Sequence, residues 1–264
     1  MKLQEPQTVL ITGASSGIGS SFAQLFAQQG YQLILASRSE NKLNELSQSL
    51  HERYQTKSIV IPVDLAKPDG PPILYERVKS YTGTLDVLIN NAGVGSYGFL
   101  HEQNITAELE MLQLNIQSVT HLMMLVLPDM IRRRSGRILN LGSTTSFYPC
   151  PLSANYSASK SYVLSLTEAV ANELSGTGVS VTALCPGGTG TSFFRTAGMD
   201  KQKVASTASL MSPEKVAQAG YDALMKGTTV VVPGKQNWLL TQAPRLFPRK
   251  MITRITRGVL EQTL

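Results

Sequence analysis

The sequence predicts an α/β protein: a doubly wound, seven-stranded parallel sheet with helices on both faces. Three observations carry that expectation. Seven short β-branched or apolar runs alternate with longer segments of helical spacing. The runs are apolar at consecutive positions, as strands covered on both faces require. The first run leads into a glycine-rich loop that opens a helix.

The first strand is expected at TVLIT, residues 8–12, followed by the loop TGASSGIG at 12–19. The segment SFAQLFAQQG, 21–30, has helical spacing and ends on a glycine stop. Strands follow at QLILAS (32–37), SIVIPV (58–63), LDVLIN (85–90) and GRILNLGS (136–143). A long helical stretch is expected over 105–132 and another over 156–175. The last two strands are VSVTALC (179–185) and TTVVV (228–232). Between them, 188–212 is rich in Gly, Thr and Ser and carries Phe193, Phe194, Met199 and Met211. It ends at Ser212–Pro213–Glu214, which reads as a helix start. Following the sixth strand, this segment is expected to act as a lid over the carboxyl edge of the sheet, where open α/β sheets bind ligands.

The 264 residues are 42% hydrophobic and 16% charged, which suits one globular domain over 1–264. The substrate loop 188–212 and a basic C-terminal extension, 245–264, complete that domain. The net charge is +6, but nine basic residues lie in two stretches, and the remainder is net negative. The first stretch is Arg132, Arg133, Arg134 and Arg137; the second is Arg245, Arg249, Lys250, Arg254 and Arg257. A nucleic-acid surface would be broader and interleaved with aromatics, so none is expected. Cys150 and Cys185 match neither metal-ligand spacing nor a disulfide framework. The opening residues lack a signal-peptide apolar region. Every apolar run falls short of the roughly 20 residues that span a bilayer. A soluble cytoplasmic protein is expected.

Gly13, Gly17 and Gly19 remove side chains where the chain turns and a pyrophosphate must approach the backbone. The following helix N-terminus offers unpaired N–H groups to phosphate. The spacing G-x-x-x-G-x-G, with further motifs in order, resembles the short-chain dehydrogenase/reductase family in its compact, NADP-preferring branch. Those motifs are Asp64 after the third strand, Asn90–Asn91–Ala92–Gly93 after the fourth, and Asn115 in the next helix. Ser143 ends the fifth strand; Tyr156-x-x-x-Lys160 follows, then Pro186–Gly187 and Thr191 after the sixth. The resemblance implies a Rossmann fold, a nicotinamide dinucleotide and a homodimer or homotetramer built on the helices at 105–132 and 156–175. It also implies that Asp64 meets the adenine and that Asn91 lies near the adenosine ribose. Gly188 and Thr191 would hold the carboxamide beside the Pro186–Gly187 turn. Ser15, Ser16 and Ile18 of the glycine loop, Leu65 beside Asp64, and Ala92 and Gly93 complete the implied cofactor set.

The second strand ends Ala36–Ser37–Arg38–Ser39, with no carboxylate to meet a ribose 2′-OH. Arg38 can pair with a 2′-phosphate and Ser37 can donate to it, so NADP(H) is expected. Carbonyl reduction needs a proton delivered to oxygen, and Tyr156 can supply it if its pKa falls from ~10. Lys160, four residues on, shares the helix face and is expected to stabilise the phenolate. In the family the equivalent lysine also bonds the nicotinamide ribose. Ser143 can hydrogen-bond the carbonyl oxygen and steady the developing alkoxide. By resemblance, Asn115 holds a water in a relay to the lysine.

Ser96, Tyr97, Phe147, Tyr148, Leu152, Phe193, Phe194 and Met199 are the expected pocket residues. They are mostly apolar or aromatic and suit a lipophilic ketone, aldehyde or alcohol, such as a 3-oxoacyl or steroid-like molecule. A non-enzymatic NADP-binding scaffold is the alternative, as is a membrane- or carrier-associated lipid ketoreductase. An intact Ser143–Tyr156–Lys160 set weighs against the scaffold. In the tail, Met251, Ile252, Ile255 and Val259 share a helical face, with Arg254 and Arg257 elsewhere. Packing against protein is the reading preferred there; a basic amphipathic helix on an anionic membrane is the other.

Overall fold

The computed structural model describes residues 6–199 and 210–261. Seven parallel strands form one sheet in the order β3-β2-β1-β4-β5-β6-β7. They are β1 (Thr8–Thr12), β2 (Gln32–Ser37), β3 (Ser58–Pro62), β4 (Val87–Asn90), β5 (Gly136–Leu141), β6 (Val179–Leu184) and β7 (Val230–Val231). The order reverses between β1 and β4, where a crevice opens at the carboxyl ends of the strands. The edges taper: β3 is only partly buried and ends on Pro62, and β7 keeps two of the five residues expected of it.

The double winding is written in the strands residue by residue. On β1, Val9 and Ile11 face one hydrophobic layer and Leu10 the other. The first layer is closed by α1 (Gly17–Gln28) and α2 (Glu40–Tyr54), through Phe22, Phe26, Leu43 and Leu50. The second is closed by α3 (Gly70–Tyr81), with Leu74 and Val78.

The stretch expected as one helix over 105–132 is three pieces. They are α4 (Ile105–Leu112), a π-helical turn over Gln113–Gln117, and α5 (Ser118–Arg133). A π-turn inserts an extra residue into the ladder and rotates the side chains that follow, here around Asn115. α6 (Ala154–Glu173) and α5 cover the second face, and α5 buries Val119, Leu122 and Val126 there.

After β6 come the short helix α7 (Phe193–Thr196), then α8 (Pro213–Lys226). The Ser212 hydroxyl caps α8 by accepting from Lys215 N at 3.4 Å. α8 joins the first layer through Val216, Ala217 and Leu224. The middle of the expected lid, 200–209, lies outside the described residues. The chain closes with α9 (Lys235–Leu246) and α10 (Arg249–Glu261); residues 262–264 of the basic extension also lie outside the described residues.

Candidate active site

A cavity of about 540 Å³ runs along the carboxyl edge of the sheet. One end is walled by Ser37, Arg38, Lys42, Asp64 and Leu65. The middle is floored by Gly13, Ser15, Ser16, Gly17 and Ile18, with Asn91, Ala92 and Gly93 opposite. The other end holds Ser143, Tyr156, Lys160, Pro186, Gly187, Gly188 and Thr191. Of the cofactor and catalytic residues expected from sequence, only Gly19 and Asn115 do not line it.

The glycine loop is shaped by close backbone approach. Gly13 has φ 65°, and a Cβ there would stand 2.9 Å from both Ala92 Cα and Asn91 Nδ2. Gly17 has φ 59°, and a Cβ would stand 2.9 Å from Thr191 Cγ2. Gly19 acts by packing, because its Cβ would strike the Gly13 carbonyl. Ser16, the N-cap of α1, makes no side-chain cap, and the first turn holds no acid. The opening N–H groups of α1 are thus left to an anion in the cavity.

Thr12 and Asn91 latch this loop to the crevice. The Thr12 hydroxyl accepts from the backbone N of Asn91 at 3.0 Å and of Ala92 at 3.1 Å. Asn91 Nδ2 donates to the carbonyls of Thr12 and Gly13 at 2.9 and 3.2 Å. The Asn91 amide group therefore serves the loop itself, although the residue also faces the cavity. Thr12 ends a strand in the sequence and carries no further signal; its role emerges only when β1 and β4 are neighbours.

Asn115, fully buried, clamps the opposite rim. Its Oδ1 accepts from Val94 N at 3.1 Å, while Nδ2 donates to Val94 O at 2.9 Å and Ser159 Oγ at 3.1 Å. The side chain is thereby committed to protein partners. It fixes the strip after Gly93.

At the reactive end, Ser143 caps a short 3-10 turn, Thr144–Phe147. Its Oγ accepts from the backbone N and the hydroxyl of Thr145, at 3.1 and 3.0 Å. With acceptance satisfied there, the Ser143 proton is free to be donated, and the hydroxyl lies near enough to Tyr156 to favour its phenolate. Tyr156 and Lys160 both project from α6, but Lys160 Nζ donates to the Leu141 carbonyl at 2.7 Å. It stands 5.9 Å from the centre of the Tyr156 ring.

Burial dominates both groups. It pushes the Tyr156 phenol up to about 12, against a smaller lowering by the Ser143 hydrogen bond. It pushes the Lys160 ammonium down to about 8. The sequence-based expectation was a phenol drawn down by the lysine four residues on. Here the lysine is drawn to the end of β5, and a desolvated pocket disfavours both charges.

The cysteines are protonated. Cys150 lines the cavity with its thiol pushed up to about 11 by burial. Cys185 lies under the site, fully buried, and burial pushes it to about 12.

The outer wall is apolar. Ser96, Phe193, Phe194 and Met199 line it as expected, joined by Leu260 of α10. The Phe193 ring packs on Tyr156 with centres 5.3 Å apart. Tyr97, Phe147, Tyr148 and Leu152 do not line the cavity. Phe147 packs into a small cluster with Leu164 and Cys185, and Leu152 is buried with its carbonyl accepting from Gly98 N at 2.7 Å. Tyr97 instead donates to the Leu260 carbonyl at 2.5 Å. Lys42 and Leu260 are among the wall residues that sequence reasoning missed. Lys42 had a faint signal, four residues after Arg38 at the start of a helix; Leu260 had none.

A family model described as short chain dehydrogenase matches residues 7–202. An uncharacterized oxidoreductase of Staphylococcus saprophyticus is 35% identical over 187 residues, 71% of this chain and 80% of that protein. A very-long-chain 3-oxoacyl-CoA reductase of Danio rerio is 29% identical over 262 residues, 95% of this chain and 79% of that protein. The solved structure of a short-chain dehydrogenase from Sphingobium yanoikuyae, in complex with NADPH, matches with TM-score 0.82 at 30% identity. That match covers 91% of this chain and 93% of the other.

Proposed function

The chain belongs to the short-chain dehydrogenase family of oxidoreductases, and from that premise we propose an NADP(H)-dependent ketoreductase acting on a lipophilic 3-oxoacyl-type substrate. The observation that carries the reading is the single cavity with Arg38 and Lys42 at one end and Ser143, Tyr156 and Lys160 at the other. The Sphingobium relative's NADPH and the Danio relative's 3-oxoacyl substrate agree with it.

The residues present fit a nicotinamide dinucleotide. The glycine loop leaves backbone room at Gly13 and Gly17, and α1 presents an uncapped N-terminus for the pyrophosphate. Arg38 and Lys42 supply cations for a 2′-phosphate, and Ser37 a hydroxyl. Asp64 and Leu65 wall the adenine end; Gly188 and Thr191 wall the nicotinamide end. When bound, the dinucleotide supplies the hydride.

The chain's own residues supply the proton and the geometry. Tyr156, with its high pKa, remains protonated at neutral pH and holds the proton at its phenol oxygen. Ser143 is positioned to donate to the same substrate oxygen, preorganised by its two bonds from Thr145. Lys160, with its pKa lowered to about 8, has a proton affinity suited to resupplying the phenol after transfer. Asn115 positions the facing strip through Val94. Phe193, Phe194, Met199 and Leu260 exclude water and favour an acyl chain over a sugar.

The test is NADPH consumption against 3-oxoacyl thioesters of graded chain length and a panel of simple ketones, with Tyr156→Phe as control. Turnover should favour the longer acyl chains, and the variant should lose at least about a hundredfold in kcat. Wild type and variant turning over equally would end the proposed role of Tyr156. A preference for short polar carbonyls would end the substrate reading.

A further inference from the structure

The two C-terminal helices carry an apolar surface that the protein does not cover. On α10, Ile252 is buried, Thr256 donates to the Pro149 carbonyl at 3.2 Å, and Leu260 lines the cavity. These residues, spaced by four, form the row turned toward the body of the protein. A second row spaced by four runs beside it: Met251, Ile255 and Val259, left 38%, 54% and 52% exposed. α9 adds Trp238, Leu239 and Leu240, and the junction of the two helices adds Leu246 and Phe247, all exposed. Single exposed apolar residues are ordinary; a row along one helix, with further exposed apolar residues on the helix before it, marks an interaction surface.

The charge of the same segment says what that surface meets. Residues 235–261 hold six basic residues and one acid, and so supply five of the six net positive charges of the chain. The acid, Glu261, is already held by Arg257 at 2.6 Å. Lys235, Arg245, Arg249, Lys250 and Arg254 are all exposed and make no ion pair among the described residues. A second copy of the chain would set two such positive segments against each other. An anionic bilayer offers both an apolar layer and negative headgroups at the required spacing of a few ångströms.

We propose that α9 and α10 form a docking surface for an anionic lipid bilayer, with the Met251–Ile255–Val259 row entering the headgroup–acyl boundary and the basic side chains meeting lipid phosphates. Among the described residues no helix is long and apolar enough to cross a membrane, so the contact is peripheral. Docking does not depend on the catalytic reading. Its bearing on the site is positional: the helix that meets the bilayer also gives Leu260 to the cavity wall. A lipophilic molecule leaving the bilayer would arrive at that wall.

The full chain is sedimented with vesicles of phosphatidylcholine alone and with vesicles containing phosphatidylglycerol, at low and high salt. Binding should require the anionic lipid and weaken with salt. Met251→Glu/Ile255→Glu/Val259→Glu should lose binding by roughly tenfold or more, because acids would replace apolar groups at an anionic surface. Arg249→Ala/Lys250→Ala/Arg254→Ala should lose up to roughly a hundredfold, at about fivefold per basic side chain near the membrane. All six positions except Met251 are at least half-exposed or charged surface sites, and circular dichroism of each variant checks the fold. Arg53→Ala/Lys57→Ala, remote from the segment, should bind as wild type. Absence of binding to the anionic vesicles overturns the proposal, as does equal binding by wild type and the glutamate variant. A concentration-dependent dimer abolished by the glutamate substitutions, without vesicle binding, would assign the face to self-association and overturn it too.

Discussion

Lys160 shows how one residue read from spacing acquires a different electrostatic character in the fold. Its ammonium is nearly excluded from water and leans on the Leu141 carbonyl, so its pKa falls to about 8 from 10.5. The folded chain then binds this proton less tightly than the unfolded chain. Between about pH 8 and 10.5 the unfolded state holds more proton, so this group makes folding more favourable as pH rises. The stability of wild type relative to Lys160→Met should therefore improve by on the order of 3 kcal/mol across that window. Denaturant titrations at pH 7 and 10 check it, and a difference that is flat or falls with pH would refute the assignment. Arg38 and Lys42 belong to the same scale. If they hold a 2′-phosphate, Arg38→Ala/Lys42→Ala should raise KM for NADPH by roughly 10- to 100-fold, the worth of a lost charge-assisted contact. KM for NADH should move by less than about twofold. Equal losses with both cofactors would exclude a phosphate-specific role.

Among the elements, α8 is tightly fitted at one glycine. Gly220 faces the sheet and α1: a Cβ there would stand 2.7 Å from Leu184 Cδ2, 2.8 Å from Phe22 Cζ and 3.3 Å from Leu139 Cδ1. Its backbone is ordinary helix, so the constraint is volume. Gly220→Val should destabilise by about 1–3 kcal/mol through overpacking. Thermal unfolding measures it, and an unchanged midpoint would show that α8 can slide outward without cost. The strands and α1 were legible in the sequence because buried parallel strands and amphipathic helices each leave a period. The break in 105–132 was not legible. Its residues keep helical propensity throughout, and the π-turn at Gln113–Gln117 carries Asn115, whose side chain bonds Val94 and Ser159. Neither partner is near it in sequence.

For the molecule as a whole, the strand order places the site. β1 and β4 are adjacent although far apart in the chain, and their ends carry the Thr12–Asn91 latch and the glycine loop. β5 and β6 bring Ser143 over Cys185 and set the Pro186–Gly188 turn beside α6. The last helix returns across the edge to close the wall with Leu260, held by Tyr97. The sequence by itself determined the alternation of elements, the glycine loop and the ordered set of Ser143, Tyr156 and Lys160, because each rests on local spacing and residue type. The tertiary structure alone decided which groups meet. Tyr97, Phe147, Tyr148 and Leu152 are apolar or aromatic like the true wall, and composition could not sort them from Phe193 or Leu260. Their separation depends on which face each presents once distant segments pack. The protonation of the site depends on how much water the assembled walls exclude. Both are long-range properties, and a local pattern carries neither.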